Sequence, residues 1–311
     1  MKASPALPVI ALLISTLFLS ACSRHSLYET AISWERSGAG LEASSVRVSE
    51  MTIAYLSNVE PVDGETIVLV HGFGANKDNW TRLARELTND FNVYAIDLPG
   101  HGDSSKALDL GYRFEDQVGH VSKILSALEI DEAHMMGNSM GGAITALYAA
   151  TYPEQVRSAV LFDPAGIFEH DSELVDLVMD GDNPLIPAKE GDFKRLIDFA
   201  LEKKPFVPWP IYDVMEEKAI ANREVNEVIF TAIRDTGFEP DFRNAITRIE
   251  APVLVVWGKE DRVINYRNAE VFVDRIPDAR MVLLEGIGHA PMVEVPEESA
   301  QLFREFLAET R

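Results

Sequence analysis

The sequence is poor in cations and almost without cysteine. Twenty-eight Lys and Arg face 50 Asp and Glu, which leaves a formal charge of −22. A protein that grips nucleic-acid phosphates needs clustered Lys and Arg, so this balance excludes that class of partner. The same charge disfavours electrostatic adsorption to anionic lipid; contact with a membrane has to be covalent or apolar. The one cysteine, Cys22, excludes an intramolecular disulfide. With no H-E-x-x-H and no Cys/His cluster, no metal site is expected. No G-x-G-x-x-G fingerprint is present, so no dinucleotide and no other cofactor is expected. Internal repeats and low-complexity tracts are also missing. What remains is 311 residues, 47% hydrophobic and 25% charged. That is enough for one large α/β domain with a sizeable core.

The chain opens with Lys2, an apolar stretch from Val9 to Leu19 and the small-residue run Leu19-Ser20-Ala21-Cys22. A cationic start, a short apolar core and small residues at a cleavage site describe a secretory signal peptide, too short to span a bilayer. Leu-Ser-Ala-Cys also resembles the lipobox of bacterial lipoproteins, which implies cleavage after residue 21 and lipidation of Cys22, with stable anchoring by several acyl chains. Ser23 after the cysteine, rather than aspartate, favours by the same resemblance the outer membrane of a bacterial cell envelope, facing the periplasm or the cell surface. An ordinary signal peptide with an incidental cysteine is the alternative.

Downstream, a polar linker and a short amphipathic segment, Tyr28 to Leu41, precede an alternation of apolar runs and helical patterns, the mark of a parallel sheet with crossover helices. Strands are expected in the β-rich stretch Val46 to Leu56 and over Thr66–His71, Asn92–Asp97, Glu132–Gly137, Arg157–Asp163, Pro252–Trp257 and Arg280–Leu284. Helices are expected over Trp80–Leu87, Phe114–Leu128, Ser139–Thr151, Arg267–Arg275 and Glu297–Leu307. Between Gly166 and Arg248 the strand runs stop, and helical patterns are broken by Pro184, Pro187, Pro205, Pro208 and Pro210. The expected organisation is a signal peptide over 1–21, a linker and short helix over 22–45, an α/β core over 46–165 and 249–311, and a helical cap over 166–248. The cap should lie over the carboxyl ends of the strands, where such sheets place ligands.

Gly137-Asn138-Ser139-Met140-Gly141 is a G-x-S-x-G pattern between an apolar strand and an alanine-rich helix. A nucleophile on so sharp a turn needs neighbours without side chains, and the helix start offers N–H groups to a developing anion. His71-Gly72-Phe73-Gly74 follows the third expected strand; the backbone N–H groups of Phe73 and Met140 are the expected oxyanion donors. Of seven histidines, only His289 follows the last expected strand, in Gly286-Ile-Gly-His289, so it is the expected base; His71 is expected to shape its loop. For the acid, Asp261 lies just beyond the seventh expected strand, with Asp163 after the sixth as its competitor.

Together with Lys77-Asp78-Asn79-Trp80 and Asp97-Leu-Pro-Gly-His-Gly, these motifs make the chain similar to the α/β-hydrolase superfamily over Val46 to Leu307. The resemblance implies a mostly parallel eight-stranded sheet with helices on both faces and a helical cap after strand six. More narrowly, the lipobox, Trp34-Glu35-Arg36 and the serine turn resemble lipoprotein lipases of bacteria, and the catalytic half resembles monoacylglycerol lipases. Hydrolysis of acyl glycerols or related esters is implied, with the membrane met through lipidated Cys22. Phe168, Leu174, Val178, Phe206, Val207 and Trp209 are candidates for the acyl path or, equally, for cap packing. The meta-cleavage C–C hydrolases, which often carry the same Gly-Asn-Ser-Met-Gly-Gly turn, are the rival activity. A lipoprotein binding module is the non-enzymatic rival.

Overall fold

A computed structural model describes residues 23–310 apart from 238–239. The leader and Cys22 lie outside the described residues. Helix α1 covers residues 23–38 and runs into a hairpin of β1 (Leu41–Val48) and β2 (Met51–Asn58). Then come β3 (Thr66–Val70), a 3-10 turn (Lys77–Trp80) and the short α2 (Thr81–Arg85). The core continues through β4 (Asn92–Ile96), α3 (Phe114–Ala127), β5 (Ala133–Asn138), α4 (Met140–Thr151) and β6 (Val156–Phe162). Five helices follow: α5 (Glu173–Met179), α6 (Asp192–Ala200), α7 (Ile211–Ala221), α8 (Arg223–Gly237) and α9 (Pro240–Ala245). The sheet resumes with β7 (Val253–Gly258), α10 (Asn268–Arg275) and β8 (Ala279–Leu284), and ends in α11 (Pro291–Glu294) and α12 (Pro296–Thr310).

The eight strands lie in the order β1-β2-β4-β3-β5-β6-β7-β8. β1, β2 and β4 pair antiparallel; β4, β3 and the rest pair parallel. Alternate residues serve opposite faces, as a period of two requires. Val68, Val70, Met135 and Leu161 enter a core with α3, α4 and α10. Ile67, Leu69, Met136 and Val160 enter a second core with α2 and α12. Covered on both faces, the central strands read as unbroken apolar runs rather than alternating ones. The chain order reverses between β3 and β5, and a crevice at the strands' carboxyl ends is expected there.

Two departures from the sequence expectation have local causes. The sheet starts at Leu41, five residues before Val46, with a turn at Ser49, whose φ is +54°. β1 is an edge strand whose Glu42, Ser44 and Ser45 are exposed, so it lacks an apolar signature. The expected helix Trp80–Leu87 is split into a 3-10 turn and five residues of α-helix. The Asn76 side chain caps that turn by accepting the Asp78 N–H at 2.9 Å. Between β6 and β7 no strand occurs among the described residues; α5 to α9 occupy the span expected to be a cap.

Candidate active site

The sharp turn after β5 holds Ser139 at φ +56°, ψ −119°, a region a non-glycine residue enters only when its surroundings force it. The forcing is visible in the glycines. A Cβ on Gly137 would lie 2.1 Å from the Gly141 carbonyl oxygen, and one on Gly141 would lie 2.1 Å from that of Val70. The strand and helix therefore meet closer than any side chain allows. Met140 is the first residue of α4, so its N–H is among the helix-start donors that have no partner within the helix. Phe73 reaches the same place from the loop after β3, and both residues line a cavity with Ser139.

His71 explains that loop. Its Nδ1 pairs with the Gly72 carbonyl at 2.7 Å and its Nε2 accepts the Leu98 N–H at 3.1 Å. Burial pushes its pKa down to about 4, so it stays neutral with both nitrogens used. Beneath the loop, the buried Lys77 ammonium donates to Asp97 at 2.8 Å and Asp103 at 2.6 Å. The Lys77 N–H also donates to Asp97 at 2.7 Å. Burial opposes the Lys77 charge, but the Asp97 and Asp78 carboxylates overcome it and leave its pKa above the ordinary value. These groups are scaffold.

His289 Nδ1–H donates to Asp261 Oδ2 at 2.7 Å. The same oxygen accepts Trp257 Nε1–H at 3.1 Å, and Oδ1 accepts the N–H groups of Val263 at 2.7 Å and Ile264 at 3.0 Å. Four donors hold this carboxylate, so it fixes the imidazole's tautomer and leaves Nε2 for chemistry. Asp163, the sequence competitor, is fully buried behind it and accepts the Gly258 N–H at 2.9 Å. Ligand-type atoms of Asp163, Asp261 and His289 all lie within 4.8 Å of one another. Burial first, and then the charge of Asp261, raise the Asp163 pKa well above 3.8. Burial and a neighbouring charge disfavour ionisation of Asp163, so environment divides two similar residues.

Ser139 stands where two cavities meet, and Phe73 and Leu185 also line both. The larger, about 530 Å³, includes His289, Phe206 and Val207, with Lys194, Asp198 and Lys204 among its polar lining. The smaller, about 140 Å³, is walled by Met140, Phe168, Leu174, Val178 and Phe230 and has one charged lining residue, Arg234. The acyl-path candidates thus divide between two arms. Trp209 is a correction: on the loop between α6 and α7, it lines neither and is 75% exposed.

Three residues of this site went unnoticed in the sequence. Asn138 Nδ2 donates to the carbonyls of Phe162 at 3.2 Å and His289 at 3.0 Å, tying the serine turn to the histidine loop. Ala200, at the end of α6, accepts the His289 N–H at 2.8 Å, so the helices between β6 and β7 help hold that loop. Glu294 accepts the Gly288 N–H at 3.0 Å and, from the other side, the Glu202 N–H at 2.9 Å. The Asn138 link spans 151 residues; only its place inside the serine motif could have marked it.

A hydroxyl in a strained turn, an imidazole held by a carboxylate and helix-start N–H groups where two cavities meet are what acyl transfer requires. The family description "alpha/beta hydrolase fold" matches residues 65–206. "Lipase 1" of Psychrobacter immobilis is 35% identical over 280 residues, covering 88% of this chain and 87% of its own. "Monoacylglycerol lipase abhd6-B" of Xenopus laevis is 27% identical, covering 88% and 84%. The solved structure of a membrane phospholipase A, described as a bacterial virulence factor, superposes with a TM-score of 0.90. It is 39% identical and covers 97% of each chain.

Proposed function

On the premise that the chain belongs to the alpha/beta hydrolase fold family, we propose that it hydrolyses carboxylic esters of the acylglycerol type through an acyl-enzyme on Ser139. The observation that carries this reading is the Asp261–His289 pair on the wall of the cavity that Ser139 enters. His289 Nε2 takes the Ser139 hydroxyl proton as Oγ attacks the ester carbonyl. The N–H groups of Phe73 and Met140 hold the oxyanion, each such donor contributing roughly 3–4 kcal/mol. Collapse expels the alcohol, which receives its proton from His289. Water then attacks the acyl-enzyme, His289 takes its proton, and fatty acid and free Ser139 are released.

The two arms divide the substrate. His289 must reach the leaving oxygen and lines only the larger arm, so the alcohol portion departs there. The acyl chain then enters the smaller arm, whose lining is apolar apart from Arg234. A meta-cleavage diketo acid would need its carboxylate held beside Ser139, and the small arm, apolar apart from Arg234, supports that less well. The names of two relatives, a lipase and a monoacylglycerol lipase, also support esters. Attachment to a bacterial membrane through lipidated Cys22 completes the proposal.

A panel of p-nitrophenyl esters, mono- and triacylglycerols and a meta-cleavage diketo acid tests the reaction class. Turnover of the diketo acid without ester turnover would overturn it. For the anchor, Cys22→Ser should abolish incorporation of labelled fatty acid; labelling that persists would show the anchor lies elsewhere.

A further inference from the structure

We propose that the loop between α6 and α7 is a docking element for a phospholipid bilayer, with Phe206 and Trp209 seated in the lipid interface. The loop reads Glu202-Lys-Lys-Pro-Phe-Val-Pro-Trp-Pro210. Phe206 is 85% exposed and Trp209 75%, two large aromatic side chains three residues apart. Water-facing aromatics so close together mark an interaction surface, and Trp in particular favours the junction of headgroup and acyl chain. Pro205, Pro208 and Pro210 fix φ along the loop, so little conformational freedom is lost when the rings are immobilised.

Three further observations choose a bilayer as the occupant. First, Pro205, Phe206 and Val207 belong to the wall of the larger arm, so the docked loop would bring that arm beside lipid. Second, α1 packs against α7, the helix that follows this loop. Arg24 donates to Glu217 at 2.9 Å and Asp213 at 3.5 Å, both on α7, which starts two residues beyond Trp209. Cys22, the residue proposed to be acylated, precedes Arg24 by two positions in the sequence. Third, α1 turns ionic and polar side chains, Arg24, Tyr28 and Arg36, toward the protein and leaves Leu27 and Trp34 exposed. Two neighbouring elements thus carry outward apolar groups, as an interfacial surface does. Charge contributes little: Lys204 is already paired with Asp198 at 2.8 Å, and the chain is strongly acidic. The attraction is apolar, so zwitterionic lipid suffices. The inference rests on the ester-hydrolase reading only in that the substrate is drawn from the docked surface.

The test uses the full chain reconstituted in phosphatidylcholine vesicles. Of the four tryptophans, Trp80 and Trp257 are buried, so Trp34→Phe leaves Trp209 as the exposed indole. Its emission is the difference from a Trp34→Phe/Trp209→Phe double variant. Bromine-labelled phosphatidylcholine should quench that difference about twofold or more, as expected of a ring in the interface. Unquenched emission typical of water overturns the proposal. So does protection of Trp209 without lipid that rises with protein concentration alongside self-association, since the occupant would then be a second copy. Trp209→Ser should lower hydrolysis of a vesicle-borne ester about tenfold while a water-soluble p-nitrophenyl ester changes less than about twofold. Equal losses on both substrates overturn it as well. Should the unaltered protein hydrolyse neither ester, the ester-hydrolase reading fails, and the quenching result still decides the docking.

Discussion

The serine turn and the helices between β6 and β7 face the same cavities and are built on opposite terms. Around Ser139, backbone meets backbone so closely that glycine is the only residue possible at 137 and 141. The Ser139 φ of +56° persists because strands on both sides leave no alternative. Across the two cavities, α5, α6 and α8 contribute Leu174, Val178, Ile197 and Phe230, apolar side chains none of which has a positive φ. One side tolerates no added atom; the other tolerates changes of shape. On the proposed reading, chemistry is concentrated where geometry is over-determined, and choice of substrate where packing can be varied.

The sharpest way to break that contrast is Ser139→Ala, which should lower kcat by about 10⁵–10⁶-fold while circular dichroism stays unchanged. Residual turnover near the original rate would move the nucleophile elsewhere. Asp261→Asn should cost about 10⁴-fold in kcat, because the imidazole loses its tautomer and its counter-charge. Asp163→Asn should cost far less, and reversal of that order in steady-state kinetics would make Asp163 the working acid. On the structural side, Gly141→Ala places a Cβ against the Val70 carbonyl oxygen. It should lower urea-derived stability by more than about 3 kcal/mol, if the variant folds at all.

Smaller effects are expected from the opposite wall. Val178→Trp, which fills the small arm, should reduce kcat/KM about tenfold or more for the longest accepted acyl chain and much less for acetate esters, given ~1–3 kcal/mol per methylene in an apolar pocket. Uniform loss along the series would take the acyl chain out of this arm. The smallest effect is electrostatic. Burial and the charge of Asp261 hold the Asp163 pKa above 3.8. The folded chain therefore keeps a proton that the unfolded chain releases. This group's contribution to stability is full below about pH 4 and is lost as pH rises through its folded value. Asparagine does not titrate, so Asp163→Asn should flatten the fall in Tm above about pH 4. An unchanged slope would mean that Asp163 is ionised in the fold.

Much of the architecture was legible because its signals are local. Buried parallel strands such as Val253–Gly258 are apolar on both faces, so they stand out as continuous runs. β1 did not stand out, since an edge strand with Glu42, Ser44 and Ser45 exposed has no apolar run to read. The reach of α1 was equally hidden. Its partners, Asp78 on the core and Asp213 and Glu217 on α7, are distant in sequence.

The amino-acid sequence by itself determined the serine turn, because a strained pentapeptide between a strand and a helix carries its own steric requirement in Gly137 and Gly141. It also determined the order of the chemical groups along the chain and the two carboxylates eligible to support His289. Only the tertiary structure decided between them. Asp163 and Asp261 are alike as residues, but one is buried with a single backbone donor and the other accepts four hydrogen bonds, one from His289. The division of the apolar candidates into two arms, with Trp209 on neither, was likewise settled by packing. Which face a side chain turns to depends on helices that meet from remote parts of the chain, and no local pattern records that meeting.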